Sequence, residues 1–270
     1  MLRKKMIKTF DKEIFDIIIL AGQSNAEGYG FGEIDHPYKP DPRVWYLRND
    51  FCQDGEFILT PAEEKVSGNE IQSSLALSFA TEYLKSGRLA EGRQLLIIRA
   101  ALGSTGFVAG HWRTDGSLFL SMMKMIEDAL ALNPQNRLVA MLWHQGENDA
   151  GKTTYEKHYN NLMTLLQTVR HEFNAPKLPF VAGDFVHDWK ELNIDRARPV
   201  ADAVCSVCCD AGYGRFVKTG GLLSNRQELG RNPLGWIDRI HFSRRAVYDL
   251  GVRYFNAFIE IENESTLIVD

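Results

Sequence analysis

Residues 16–28, DIIILAGQSNAEG, set an unbroken apolar run directly against a polar one. Ile17, Ile18, Ile19 and Leu20 leave no polar position on either face of an extended chain. The run therefore predicts a strand covered on both faces, as in a parallel sheet flanked by helices. Ser24 follows at the carboxyl end of that strand, between Gln23 and Asn25. At such a position a serine serves as a nucleophile, as part of a phosphate cradle, or as the cap of a turn or short helix.

Working outward, similar runs recur at 95–100 (LLIIRA), 138–143 (LVAMLW), 179–183 (PFVAG) and 214–218 (GRFVK). Helical spacing lies between them. Ile71, Leu75, Phe79 and Tyr83 predict a helix over 71–85. Tyr155, Tyr159, Leu162, Leu166, Val169 and Phe173 predict another over 155–173. Residues 118–132 are apolar almost all round, which predicts a deeply packed helix. A last helix carries Val247, Leu250, Tyr254 and Phe258 on one stripe, with Ser243 as its N-cap. Repeated β-then-α units predict an α/β fold, a three-layer α/β/α sandwich around a mostly parallel five-stranded sheet, as one domain over 1–270. The segment 33–70 breaks the rhythm. Its RVWYLRNDFCQDGEFILTP reads as two strands around Asp54-Gly55, a hairpin excursion.

The 270 residues are 44% hydrophobic and 24% charged, with a net charge of −4. That balance provides no basic field for nucleic acid. The basic amino end lacks the apolar core of a secretory signal, and no run approaches the ~20 residues that cross a bilayer, so a cytoplasmic location without membrane partners is the expectation. Of the four cysteines, Cys205 and Cys208 have C-x-x-C spacing. A zinc site needs a second ligand pair, which Cys52 and Cys209 do not supply. The segment PVADAVCSVCCDAG reads instead as a helix ending at Gly212, so no metal is expected.

In an open α/β sheet, ligands bind beyond the carboxyl ends of the strands. The polar residues found there are Gly22-Gln23-Ser24-Asn25, Gly103-Ser104-Thr105, His144-Gln145-Gly146-Glu147-Asn148-Asp149, Asp184 with His187, and Asp238 with His241. Ala26 breaks the G-x-S-x-G elbow, and Gly28-x-Gly30-x-Gly32 is not a dinucleotide fingerprint. An activated serine needs a base oriented by a carboxylate. Asp184…His187 and Asp238…His241 both have the spacing that lets a carboxylate reach Nδ1 of the same imidazole. His241 is favoured because the amphipathic last helix would hold it against the sheet. The Ser24 amide, the Gly103 amide and the Gln145 side chain are candidate oxyanion donors. Gly103 is equally readable as a turn glycine, and Gln145 as a tie between loops.

The blocks GQSNAEG (22–28), GST (103–105), WHQGENDA (143–150) and DRIHFS (238–243) resemble the SGNH hydrolase superfamily. Within it they are similar to the branch holding carbohydrate esterase family six and sialate O-acetylesterase-like proteins. The resemblance spans nearly the whole chain. It implies that Ser24 is the nucleophile, His241 the base and Asp238 its carboxylate, with Ser24, Gly103 and Gln145 forming the oxyanion hole. In some members the glutamate of the HQGE block serves as well, which points to Glu147. Leu102-Gly103-Ser104 stands where Gly-Gly-Thr is usual, and Asn148 where serine is common. The implied activity is a serine esterase that removes acetyl groups from O-acetylated carbohydrates without a cofactor. Activity on other short acyl esters, or an inactive carbohydrate-binding protein, are the alternatives. Gln23, Asn25, Trp112 and Arg113 are the expected substrate-binding residues: Trp112 offers a flat apolar face and Arg113 a donor for hydroxyls, unless Trp112 is a packing residue.

Overall fold

The computed structural model describes residues 10–49, 56–67 and 70–267. The DIIILA run lies in β1 (Ile14–Gly22), at the centre of a seven-stranded sheet. The other expected strands are β6 (Arg93–Arg99), β7 (Arg137–His144), β8 (Phe180–Gly183) and β9 (Gly214–Val217). Between β1 and β6 come β2 (Val44–Asn49), β3 (Phe57–Pro61), β4 (Lys65–Ser67) and β5 (Glu70–Gln72). The sheet order is β3-β2-β6-β1-β7-β8-β9, and only β3 runs antiparallel to its neighbour. The expected five strands thus become seven. The 33–70 excursion does not stand apart: β2 docks in parallel on the free edge of β6, with Val44 opposite Leu95 and Leu47 opposite Ile98. The turn at Asp54-Gly55, together with Cys52, lies outside the described residues.

Both faces of the sheet are covered, which accounts for the unbroken apolar run. Phe15, Ile17 and Ile19 point to one face, where they meet α3 (Ser117–Ala131), α4 (Tyr155–Glu172) and α6 (Ile194–Asp210). Ile18 and Leu20 point to the other, against α2 (Leu75–Lys85) and α8 (Arg244–Leu267). Short helices α1 (Ser24–Glu27), α5 (His187–Leu192) and α7 (Asn225–Leu229) line the loop end. Helix α3 is one-sided rather than apolar all round: Met122 and Ile126 are buried, while Leu120 is exposed. Ser243 caps α8 as expected, its Oγ accepting the Ala246 N–H at 3.3 Å. Cys205 and Cys208 lie within α6, and burial pushes the Cys208 thiol well above its ordinary value. Among the described residues, no helix is long and apolar enough to cross a membrane.

After β1 the chain first builds the β6 side of the sheet and then the β7 side, so β1 marks the point where the winding reverses. At its end Gly22 has φ +136°, and an added Cβ would meet the His144 carbonyl oxygen at 2.2 Å. Only glycine permits that approach, which brings Gln23-Ser24-Asn25 against the block after β7.

The other end of β1 holds a buried charge. Asp16 accepts from Arg93 at 2.7 Å, Arg137 at 2.6 Å and the Tyr83 hydroxyl at 2.7 Å. Burial raises its pKa, but the hydrogen bonds and positive charges outweigh burial and hold the carboxyl below its ordinary value. Asp16→Ala strands these partners and should cost about 3 kcal/mol at neutral pH, measured by urea unfolding. A depressed folded pKa stabilises above the unfolded value of ~3.9 and loses that contribution as pH falls through the folded value. The difference between wild type and variant should therefore shrink below about pH 3.9.

Candidate active site

The loop end is organised by the residues on either side of Ser24. The Gln23 N–H donates to the His144 carbonyl at 3.0 Å, and Gln23 Oε1 accepts the Asn148 N–H at 3.2 Å. Asn25 reaches further. Its Nδ2 donates to Glu147 Oε1 at 2.7 Å and to the Ile240 carbonyl at 2.9 Å, while its Oδ1 accepts the Phe242 N–H at 3.2 Å. The carboxamide clamps the residues before and after His241, and so sets that histidine beside the serine helix. Gln23 and Asn25 are 2% and 1% exposed. Both Asn25 side-chain atoms and Gln23 Oε1 are spent on the protein, so these two residues, expected to bind substrate, hold the loops instead.

His241 and Asp238 meet as the spacing predicts. His241 Nδ1 lies 3.0 Å from both Asp238 carboxylate oxygens, and the His241 N–H reaches Oδ1 at 3.2 Å. Nε2 is left for another partner. Asn225 Nδ2 donates to Asp238 Oδ2 at 2.9 Å, and Asn232 Nδ2 does so at 3.3 Å. Burial raises the Asp238 pKa, yet the His241 contact and the Asn225 donor bring it below its ordinary value. Tyr29 stacks on the His241 ring at 5.0 Å between centroids. The alternative pair does not form. Asp184 binds Lys190 at 2.6 Å, and the largely exposed His187 lies 3.6 Å from Glu191. Asp188 next to it anchors the loop carrying Asp238: it takes Arg226 at 2.7 Å, Arg239 at 2.9 Å and Ser224 Oγ at 2.7 Å. The Arg226 contact leads in holding its carboxyl down to about 2.

Block 103–108 hangs on Asp149. Its carboxylate accepts the Phe107 and Val108 N–H groups at 2.9 and 3.0 Å and Gln145 Nε2 at 2.9 Å. Gln145 Nε2 also faces the Thr105 carbonyl at 3.3 Å and Gln23 Oε1 at 3.4 Å. Its two hydrogens are thus directed at protein acceptors, so Gln145 ties loops and presents no free donor. The left-handed backbone falls on Ser104, φ 60°, and not on Gly103. The Gly103 N–H donates to Glu27 Oε2 at 2.8 Å, and a Cβ on Gly103 would lie 3.5 Å from that of Ser24. Trp112 lines no pocket. It is fully buried, packed edge-on against Trp143, with its indole N–H on Thr105 Oγ1 at 3.1 Å. Arg113 is exposed and pairs loosely with Asp115 at 3.3 Å. The sequence marks Asp149 only as one of the polar residues after β7, and nothing in it singles out Glu27, Asn225 or the exposed Trp236. The first three act over gaps that leave no local pattern, whereas Trp236 lies two residues before Asp238.

Glu147 is buried and bonded to Asn25, not to the imidazole. Burial raises its pKa, opposed by its own backbone N–H, by Asn25 and by the His241 charge. An unfolded glutamate ionises near ~4.3. With the folded value higher, the unfolded chain binds fewer protons between the two values, so stability falls as pH rises through that window. Glu147→Gln keeps the acceptor for Asn25 without this loss. Its urea midpoint relative to wild type should rise as the pH is raised above about 4.3; a flat difference would show that burial does not destabilise the carboxylate.

The pattern of the family described as carbohydrate esterase, sialic acid-specific acetylesterase, matches residues 14–260. A protein of Escherichia coli (strain K12) named "Probable 9-O-acetyl-N-acetylneuraminic acid deacetylase" is 25% identical over 226 residues, 66% of this chain and 69% of its own. An Arabidopsis thaliana protein named as a "Probable carbohydrate esterase" is 26% identical over 256 residues, 90% of each chain. The crystal structure of NanS shares the fold, with a TM-score of 0.77 at 21% identity over 94% of this chain and 99% of that one. The chain belongs to the sialic acid-specific acetylesterase family of carbohydrate esterases, carboxylic ester hydrolases acting on the acetyl esters of carbohydrates.

Proposed function

We propose that this esterase removes acetyl groups from O-acetylated sugars, of the sialic acid or acetylated-oligosaccharide type, through an acetyl-enzyme on Ser24. The observation that carries the reading is the Asn25 clamp on Ile240 and Phe242, which sets His241 beside the serine helix while Asp238 holds Nδ1. His241 Nε2 takes the Ser24 proton as Oγ attacks the acetyl carbonyl. The same proton passes to the sugar oxygen as the ester bond breaks. Water then loses a proton to Nε2 and attacks the acetyl-enzyme, releasing acetate and restoring the serine. Asp238, ionised and tied to Nδ1, fixes the tautomer and stabilises the imidazolium formed in each step.

The oxyanion falls to the N–H groups of Ser24 and Gly103. Ser24, in the first turn of α1, has no intrahelical acceptor for its N–H. Gly103 is occupied by Glu27 in the free protein. A carboxylate there competes with the developing oxyanion and must give way before the donor can act. Charge-assisted hydrogen bonds are worth ~1.5–3 kcal/mol, so displacing Glu27 is a sizeable part of the barrier.

Ser24→Ala should lower acetate release from p-nitrophenyl acetate and acetylated sugars by about 10⁴-fold with the fold intact. Hydrolysis at the wild-type rate in that variant would overturn the serine mechanism. Glu27→Ala should raise kcat/KM on the same esters by about tenfold, since it frees the Gly103 N–H. A fall instead would mean that Gly103 is not an oxyanion donor.

A further inference from the structure

A depression of about 460 Å³ adjoins the His241–Asp238 pair, and its walls include Tyr29, Trp189, Leu234, Trp236 and Ile237. Leu234, Trp236 and Ile237 are 63%, 68% and 56% exposed, an unusual concentration of open apolar surface in four consecutive residues. The turn that presents them is held firmly. Asn232 Oδ1 accepts the Leu234 and Trp236 N–H groups, both at 3.0 Å, and the Asn232 N–H donates to the Trp236 carbonyl at 2.8 Å. Gly235, at φ +85°, closes the turn, and Arg231 binds its carbonyl at 2.7 Å. Asn232 also touches Asp238, so a single side chain sets the apolar turn and contacts the carboxylate partner of His241.

We propose that this turn is the alcohol-side subsite, with Trp236 as the platform for the ring of a pyranose leaving group. The inference rests on the assignment of Ser24 and His241 above. His241 Nε2 must protonate the leaving oxygen, so whatever is attached to that oxygen lies beside the imidazole. His241 itself lines this depression, whose open walls at Leu234, Trp236 and Ile237 are apolar. A pyranose offers an apolar C–H face to an indole while its hydroxyl edges stay in water. The acyl carbon, by contrast, must lie at Ser24 and Gly103, where Glu27 and Tyr29 leave the nearer atoms polar. Trp236 thus takes the place that the sequence suggested for Trp112.

The test compares wild type, Trp236→Ala and Trp236→Phe on ethyl acetate, ethyl butyrate and whichever O-acetylated methyl pyranoside or 9-O-acetyl-N-acetylneuraminic acid the wild type hydrolyses fastest. Trp236→Ala should lower the ratio of kcat/KM for the sugar ester over ethyl acetate by about tenfold, mainly through KM, and Trp236→Phe should restore most of it. A ratio within about twofold of wild type would overturn the proposal. So would a shift in the acetate-to-butyrate preference, which would make the depression an acyl pocket. Binding of the same sugar ester to Ser24→Ala protein, with and without Trp236→Ala, decides the platform independently of turnover. Hydrolysis that survives Ser24→Ala would instead count against the serine assignment.

Discussion

One carboxamide holds the loop end together. Asn25 donates to Glu147 across 122 residues of sequence and to Ile240 across 215, and it accepts from Phe242. Buried polar atoms must be paired, and here each pairing also fixes a loop. The residue type follows from the pattern. Two of the three contacts are donations, so an aspartate, which only accepts when ionised, would face Glu147 and the Ile240 carbonyl with the wrong polarity. A leucine would leave a carboxyl, a carbonyl and an N–H without partners. Asn25 can do this only because its backbone sits on a short helix at the end of the central strand, where the neighbouring strands bring their loops within reach.

That position is set by the sheet. Pairing of β1 with β6 and β7 puts three carboxyl ends side by side, and the Gly22–His144 approach presses the serine block onto the block after β7. The two loops that stand near Ser24 are then braced from below. Asp149 ties down Phe107, Val108 and Gln145, while Asp188 draws Arg226 and Arg239 toward one anion. These braces touch no substrate in the proposed mechanism. They stop the loops from relaxing, since moving any one of them breaks a buried charge-assisted contact.

What was legible in the sequence follows the range of the interaction. The strands at 16–21, 95–100, 138–143, 179–183 and 214–218 were readable because burial on both faces leaves an unbroken apolar run. Asp238 and His241 were readable as a pair because only two residues of loop separate them. The joining of β2 to β6 was not, since a strand in an excursion carries no mark of which strand it will meet. Trp112 and Trp236 invert the expectation for the same reason. Each is a lone tryptophan in a loop, and only tertiary packing decides that one seats against Trp143 while the other stands in solvent. Glu27 reads as a solvated helix residue until β6 brings Gly103 to its carboxylate, 76 residues on.

The two buried carboxyls near His241 are pushed in opposite directions, and that division bears on how the imidazole works. Asp238 has the His241 contact and the Asn225 amide in its favour and stays ionised. Glu147 has a single side-chain donor, Asn25, and burial dominates. Separating the pKa values of neighbouring acids assigns them separate tasks. An ionised Asp238 at Nδ1 favours the tautomer with its proton on Nδ1, which leaves Nε2 free for the part the proposed mechanism gives it. Glu147 meanwhile turns one oxygen to Asn25 and so anchors the clamp on the residues either side of His241.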